Sequence, residues 1–584
     1  MCNIQALILI FLGITFINAE PPIVETTHGK VQGKVLKTLL KNEEYFGFMG
    51  IPYAAPPVKE MRFLPPKPIE PWDNVLVATK EKKACVQYNM NIRKGQPLGW
   101  YGDENCLFLD IFTPKTDGEM RPVILFIYNT FFTGSYNKTK DYSPDFFIEE
   151  DVVTVTLSHR LSVLGFLSLE DDIVPGNAGL KDIVAALEWT KNNIAKFGGN
   201  TDKITLMGCQ GGAAAVDLLL HSSAKQLFHG AILQSGSSWA SSYLQEDLRE
   251  RAYKLAELLD RASSSNIKLL KELNDLPASD LVTKELHANP DDYFKEHQRG
   301  VLTFGPTVEK QPNGLITQYP EDLQEQINIP IMIGFNSREG LEASLQYLYE
   351  PRYLSFVQKD FPFLLPLRIK FKFDPLNEMF YKAVDEIKQL YFKNGKVTIR
   401  SIAEYITFIG DVLTGYVVDY TARVYSRRTS NSLYYYHFDY YSDLNENKND
   451  ILSHIKKEGT TEGTWGAASG DELCYLFYCP SLKQKYIKHN KSMSEEIKIQ
   501  RKLVKMWTNF AKYGDPTPEA DAELGGLRWP TFNLEGKKYL NIDKEIEVKS
   551  DLNKKRFDFW DDLIDKWEQR AINGTVKSNE KDEL

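Results

Sequence analysis

Histidine is scarce in this sequence, and its few residues form no metal-ligand pattern. Nine histidines occur in 584 residues. The nearest pair, His221 and His229, lacks the carboxylate or thiol neighbours that a zinc site requires. We therefore predict no bound metal and no other cofactor, and a structural or surface role for both histidines.

The sequence also lacks an excess of positive charge. It contains 70 Lys and Arg against 79 Asp and Glu, the formal net charge is −9, and no basic block stands out. Phosphate backbones are bound by clustered Lys and Arg. Nucleic acid is therefore excluded as an expected partner.

Long apolar runs are missing beyond the N-terminus. Residues 6–17 are almost wholly apolar, and Ile17-Asn18-Ala19 fits a small-residue cleavage site. A membrane span needs about 20 apolar residues, so this run is short for a signal-anchor helix. We predict a cleaved signal peptide over residues 1–19 and no transmembrane span in the mature chain.

The polar tail, residues 571–584, ends in Lys581-Asp582-Glu583-Leu584. Together with a signal peptide, this C-terminal sequence is an address for retention in the endoplasmic reticulum (ER). We expect the chain to reside in the ER lumen and to be retrieved by KDEL-receptor-type machinery. Three N-glycosylation sequons agree with that compartment, and their acceptors are Asn137, Asn490 and Asn573.

Cysteines are few as well. The six are Cys2, Cys85, Cys106, Cys209, Cys474 and Cys479, and the first leaves with the signal peptide. Cys85 and Cys106 flank a loop rich in turn residues and are the natural disulfide pair in an oxidising lumen. At least one of the other three stays unpaired. Cys474 and Cys479 could pair, but their spacing does not decide it.

The most informative segment runs from Gly208 to Gly212. It follows an apolar run, 204–207, and precedes a helical start at 213–220. Strand, glycine-flanked turn and helix are the context of a nucleophile elbow, in which serine occupies the middle of Gly-X-Ser-X-Gly. Here Gln210 stands in that place, and an amide cannot be activated by losing a proton as a hydroxyl can. We interpret the neighbouring Cys209 as a buried thiol.

Strand-like and helix-like segments alternate along the chain. Short apolar runs predict buried strands, and helical periodicity predicts the helices between them. The predicted strands cover 123–128, 151–157, 330–334 and 433–441, and the predicted helical regions cover 180–196, 246–286, 495–510 and 553–570. We expect one large α/β domain over residues 20–570.

Several motifs resemble those of the type-B carboxylesterases and cholinesterases. They are the run Phe46 to Ala54, Arg62-Phe63, Pro71-Trp72, Glu104 to Leu109, His159-Arg160-Leu161, Gly165-Phe166-Leu167, Pro175 to Asp182, Trp529-Pro530 and Tyr539-Leu540. The resemblance covers about residues 23–567. It implies the α/β-hydrolase fold, with a large mixed, mostly parallel central sheet flanked by helices.

That family carries serine, glutamate and histidine in chain order. The resemblance places Gln210 at the serine, Glu339 at the acid and Ser469 at the histidine, because Ser469 precedes Gly470-Asp471-Glu472-Leu473. The nucleophile and the base are therefore predicted to be missing. Glu339 is interpreted as a buried carboxylate that hydrogen-bonds Ser469.

The oxyanion hole of the family is built from glycines. Asn129, Thr130 and Phe131 occupy three of these positions, and Gly211 follows the elbow tip. Thr130 and Phe131 replace two residues whose backbone N–H groups would stabilise an oxyanion, and their side chains would crowd the space that a substrate carbonyl needs.

These replacements predict a catalytically inactive carboxylesterase-like protein of the ER lumen that binds a small apolar ligand or a client protein. Neurotactin-like and neuroligin-like relatives use this domain for adhesion at cell surfaces, but the retention signal argues against that role here. The alternative is an active lumenal ester hydrolase with an unconventional nucleophile, for which Cys209 is the nearest thiol.

Overall fold

The computed structural model describes residues 21–89, 99–135, 138–289, 298–300, 302–368, 371–372, 378–455, 459–519, 521–568, 571–572 and 574–576. The predicted signal peptide, the retention sequence 581–584 and the acceptors Asn137 and Asn573 lie outside these residues.

The strands are short, and most of them are separated by helices or long loops. They are β1 Ile23–Thr26, β2 Gly29–Gln32, β3 Lys34–Lys37, β4 Glu44–Pro52, β5 Leu76–Val77, β6 Gln87–Asn89, β7 Gly99–Tyr101, β8 Phe108–Thr113, β9 Arg121–Thr130, β10 Gly134–Ser135, β11 Val153–Leu157, β12 Gly199–Gln210, β13 Gly230–Gln234, β14 Ile331–Asn336, β15 Phe371–Lys372, β16 Leu433–Phe438, β17 Lys538–Ile542, β18 Ile546–Ser550, β19 Ala571–Ile572 and β20 Gly574–Val576.

The α-helices are numbered in chain order. They are α1 Asp145–Ile148, α2 Ser162–Phe166, α3 Ala178–Asn193, α4 Gly211–Leu220, α5 Leu248–Leu258, α6 Asn266–Asn274, α7 Ala278–Lys284, α8 Leu345–Tyr349, α9 Leu354–Lys359, α10 Glu378–Tyr391, α11 Ile402–Gly410, α12 Tyr416–Arg428, α13 Glu446–Ser453, α14 Leu473–Leu476, α15 Lys483–Ser492, α16 Glu495–Tyr513 and α17 Lys554–Glu568.

Twelve strands form the central sheet, in the order β18-β17-β16-β14-β13-β12-β9-β11-β8-β4-β3, with β10 paired to β9. Neighbouring strands from β17 through to β11 run parallel. The pairs at both ends of the sheet are antiparallel. This mixed, mostly parallel sheet flanked by helices confirms the predicted fold class.

Side chains of the central strands alternate between two cores, one on each face of the sheet. Along β9, Val123, Leu125 and Ile127 belong to one core. Ile124 and Phe126 belong to the other, against which helix α16 packs. Because both faces are buried, these strands read as continuous apolar runs in the sequence.

Two predicted elements differ from the structure. Strand β16 ends at Phe438 rather than at residue 441, because the N–H groups of Asp439 and Tyr440 both donate to the carbonyl of Ile542, at 2.8 and 3.0 Å. The helical region 246–286 is divided into α5, α6 and α7, with a helix boundary before Pro277. Proline disfavours the helical conformation of the residue before it.

Two disulfides are present in the part of the chain that the structure describes, and the first confirms the predicted pair. Cys85 is bonded to Cys106, and Cys474 to Cys479. Cys209 is a free, buried cysteine. No helix among the described residues is long and apolar enough to cross a membrane.

Removing the longer-range disulfide is expected to destabilise the fold measurably. The Cys85–Cys106 bridge closes a segment of 21 residues, and the other bridge closes one of 5. Loop-closure entropy then predicts a loss of about 3 kcal/mol for the paired Cys85→Ser and Cys106→Ser change, and about 2 kcal/mol for the matched change at Cys474 and Cys479. Urea unfolding of the three proteins checks this order, and a larger loss at the shorter loop would contradict it.

Candidate functional site

The predicted elbow is present as a tight turn between β12 and α4. Gln210 lies at its tip with φ 53° and ψ −119°, a backbone conformation that residues other than glycine rarely adopt. The flanking glycines allow neighbouring backbone segments to pack closely against the turn. A Cβ atom on Gly208 would lie 2.3 Å from the carbonyl oxygen of Gly212, and one on Gly212 would lie 2.1 Å from that of Ile127.

The structure brings the three predicted triad positions together. The amide Nε2 of Gln210 donates to Ser469 Oγ at 3.0 Å, and the Ser469 hydroxyl lies near enough to Glu339 to lower the pKa of that carboxyl. Glu339 Oε1 also accepts from Ser235 Oγ and from the backbone N–H of Asn336, both at 2.6 Å. Exposed fractions are 4% for Gln210 and 8% for Ser469 and Glu339, so all three side chains are buried.

Burial dominates the acid–base properties of this region. Desolvation raises the pKa of Glu339 to about 7, although the hydrogen bonds from Ser235 and Asn336 and the nearby Ser469 hydroxyl lower it. Desolvation also raises the pKa of Glu472 to about 7, and the negative charge of Glu339 adds to that rise. Glu472 accepts from Gln234 Nε2 at 2.9 Å and from Asn336 Nδ2 at 2.5 Å. Neither carboxylate has a hydrogen bond to the Gln210 side chain among those described.

The oxyanion region is altered in geometry as well as in composition. Asn129 turns its amide oxygen towards the elbow, where Oδ1 accepts from the N–H of Phe132 at 2.8 Å. That oxygen lies only 2.0 Å from where a Cβ on Gly211 would stand. Phe131 and Phe132 keep left-handed backbone conformations, with φ of 49° and 57°. An acceptor oxygen beside Gly211 disfavours the negative charge that an oxyanion hole must stabilise.

His159 supports Asn129 and is not placed as a catalytic base. Its Nδ1 lies 3.0 Å from the carbonyl oxygen of Arg160, which can only accept a hydrogen bond, so Nδ1 carries the proton. Its Nε2 then accepts from Asn129 Nδ2, at 3.3 Å. Burial lowers the pKa of this histidine below its usual range.

Cys209 is unsuited to replace the serine. Its side chain is fully buried in the core on the α16 side of the sheet. Burial raises the pKa of its thiol well above the usual range, and the nearby Glu472 and Glu339 raise it further. Nucleophilic attack needs the thiolate, which is therefore disfavoured at neutral pH.

Aromatic rings lie beside the elbow. Phe131 stacks on Tyr243 with ring centroids 5.8 Å apart. Phe132 packs edge-on against Tyr243 and Phe166, at 5.7 and 5.2 Å. A Cβ atom on Gly211 would lie 3.0 Å from the backbone nitrogen of Phe132 and 3.1 Å from that of Phe131. The aromatic cluster of Phe131, Phe132 and Tyr243 therefore adjoins the former oxyanion position.

A predicted glycosylation acceptor and a grouping that the sequence analysis did not predict complete the description. Asn490 lies on α15, half-buried, and its Oδ1 accepts from Arg501 Nη2 at 2.9 Å. Within the described part of the chain, one grouping brings possible metal-ligating atoms together, from Glu446, Cys474 and Cys479. Both of its sulfurs are used in the disulfide, which removes the thiolates that a metal would need.

Sequence reasoning missed the second layer of the site. Ser235 follows β13 and Asn336 ends β14. Glu472 belongs to the family motif that follows Ser469. The carboxyl ends of adjacent parallel strands meet at one edge of a sheet, where sites of α/β proteins are found. That rule would have identified Ser235 and Asn336 as neighbours of the elbow.

Comparison with known proteins agrees with this geometry. Residues 20–560 match the model of the carboxylesterase family. A juvenile hormone esterase of Tribolium castaneum is 32% identical over 539 residues, which cover 88% of this chain and 86% of the relative. Carboxylesterase 1E of Mus musculus is 29% identical over 592 residues, covering 97% and 98%. Esterase E4 of Myzus persicae is 28% identical over 531 residues, covering 89% and 91%. With its hydrolase sheet, its elbow and a family match over nearly its whole length, this chain belongs to the carboxylesterase family of α/β hydrolases.

Proposed function

We propose that this protein is a catalytically inactive member of the carboxylesterase family that resides in the ER lumen and binds a small apolar ligand at the former active site. The observation that carries the proposal is the arrangement of Gln210, Ser469 and Glu339, in which Gln210 donates to Ser469 and the Ser469 hydroxyl lowers the pKa of the nearby Glu339. The three side chains occupy the positions of a catalytic triad, but they include neither a nucleophile nor a base to activate one.

The expected loss of rate is large. Removing one triad member costs on the order of 10⁴ to 10⁶ in turnover. The remaining catalysis of such mutants depends on the oxyanion hole, and here the amide oxygen of Asn129 lies beside Gly211. The contribution of the triad and that of the oxyanion hole are therefore both lost at the same site.

The competing proposal is an esterase that uses Cys209. Burial and the raised pKa of this thiol oppose it, and the base position holds Ser469. The ligand measurements below also distinguish a client-binding role, because a client bound at the surface would not depend on Gln210.

We expect no hydrolysis of a p-nitrophenyl ester by the purified protein above a heat-denatured control, since the site cannot form a nucleophile. Gln210→Ala and Cys209→Ala serve as matched variants, and neither should change the background rate. Turnover above that background that either variant abolishes would refute the proposed inactivity.

Location in the ER is supported by the N-terminal signal sequence and the C-terminal Lys-Asp-Glu-Leu sequence together. Deleting residues 581–584 is expected to move the protein from cell lysate to culture medium, because retrieval is lost. A Leu584→Ile chain of full length controls for tail length. Equal retention with and without the four residues would contradict the assignment.

A further inference from the structure

Gln210 has one amide atom without a hydrogen-bond partner. Its Nε2 donates to Ser469, but its Oε1 is buried and has no partner among the described residues. A buried acceptor left unpaired is unfavourable, and a donor brought by a ligand would relieve it.

The direction of the bonds fixes which amide atom is left over. Nε2 of Gln210 is the amide atom that donates to Ser469 Oγ, at 3.0 Å. An amide group presents its oxygen and its nitrogen in different directions, so the Oε1 atom of Gln210 is turned away from Ser469.

Aromatic rings lie beside the elbow tip. Phe131, Phe132 and Tyr243 form the aromatic cluster beside Gly211. Asn129 Oδ1, an amide oxygen beside Gly211, already accepts from Phe132. An ester group carries only acceptors and would meet another acceptor at Gln210, whereas a hydroxyl can donate.

We propose that the former active site binds an apolar alcohol, whose hydroxyl group donates a hydrogen bond to Gln210 Oε1 while its hydrocarbon part packs against the aromatic cluster. This inference rests on the proposed function, because it requires an elbow that binds without cleaving. The replacement of serine by glutamine thereby changes the preferred ligand from an ester to an alcohol.

The test compares three probes of similar length on the full-length protein: 1-decanol, decyl methyl ether and methyl decanoate. Titration calorimetry should show 1-decanol binding about ten-fold more tightly than the ether, because only the alcohol satisfies the buried acceptor. Gln210→Met keeps the length of the side chain and removes the acceptor, so it should bind both probes equally.

Glu339→Gln provides an independent variant with little change in shape. Its amide oxygen should stay with the donors Ser235 and Asn336, so its NH₂ group faces Ser469. Ser469 would then donate to Gln210 Oε1 and remove the free acceptor. We expect the preference for the alcohol to fall to about two-fold or less. Glu188→Gln, on the exposed face of α3, is the matched control and should keep the full preference.

The outcomes separate the two proposals. If the wild-type protein binds the alcohol and the ether equally, or binds neither, while leaving methyl decanoate intact, the alcohol site is wrong and the inactive enzyme stands. If the alcohol preference survives in folded Gln210→Met protein, the contact with Gln210 is wrong. Hydrolysis of methyl decanoate would overturn the proposed function and the alcohol site together.

Discussion

Replacing Gln210 by serine is expected to give no detectable ester turnover. The new hydroxyl would lie near Ser469, which is within hydrogen-bond distance of the present side chain but cannot take up a proton. His159 does not supply the missing base, because its two ring nitrogens are engaged by Arg160 and Asn129.

Stepwise reversion should show which losses matter. Adding Ser469→His rebuilds the order serine, glutamate, histidine, since position 469 already contacts both partners. The oxyanion region should then still hold turnover down by roughly 10²- to 10³-fold, the cost of one lost donor. We expect the further changes Asn129→Gly, Thr130→Gly and Phe131→Gly to be required to restore this lost turnover.

Rates of p-nitrophenyl ester hydrolysis across the series check this expectation, with thermal melts to confirm folding. The matched control carries every reversion but has alanine at position 210, and it should be inactive. Substantial turnover by folded Gln210→Ser protein alone would show that another group serves as base, and the inactive-site account would fail.

The buried carboxyl groups should make folding stability depend strongly on pH. The pKa of Glu339 is about 7 in the folded protein against 4.5 for the ordinary side chain. A raised folded-state pKa means that the folded state binds the extra proton, so the contribution to stability is full below about pH 4.5 and is lost as pH rises through about 7. The full difference corresponds to about 3 kcal/mol.

The pH effect is isolated by comparing variants rather than by the wild-type profile alone. The free energy of unfolding of wild type relative to Glu339→Gln should be about 2.5 kcal/mol larger at pH 5 than at pH 8, because part of the full difference is already lost at pH 5. Urea unfolding at several pH values measures this difference. The exposed Glu188→Gln change should give a flat difference. A flat difference for Glu339→Gln would show that this carboxyl does not titrate near neutrality.

Local pattern was sufficient to predict the elbow and most of the sheet. The buried runs of β9, β11 and β14 are recognisable in the sequence because both faces of these strands are covered, and the glycines around Gln210 mark the turn. The motif surrounding Ser469 predicted its position opposite Gln210. The end of β16 was not predictable, because it is set by hydrogen bonds to β17 from about 100 residues further along the chain.

The orientation of individual side chains was also not predictable from the sequence. Nothing in the residue types indicates that Asn129 turns its oxygen towards Gly211, which depends on the support of its amide nitrogen by His159. The pairing of Cys474 with Cys479 likewise depends on the loop that brings them together. These features arise from packing between distant segments, which periodicity and motif spacing do not record.

The central claim is that the elbow holds no activated nucleophile, and covalent labelling tests it most directly. Purified full-length protein is incubated with a fluorophosphonate ester, and its intact mass is then measured. The variant with both triad reversions and the three glycines serves as the positive control. The account predicts an adduct on that variant and an unchanged mass for the wild-type protein. A stoichiometric adduct on the wild type, mapped to Cys209, Ser235 or another residue near Gln210, would contradict it.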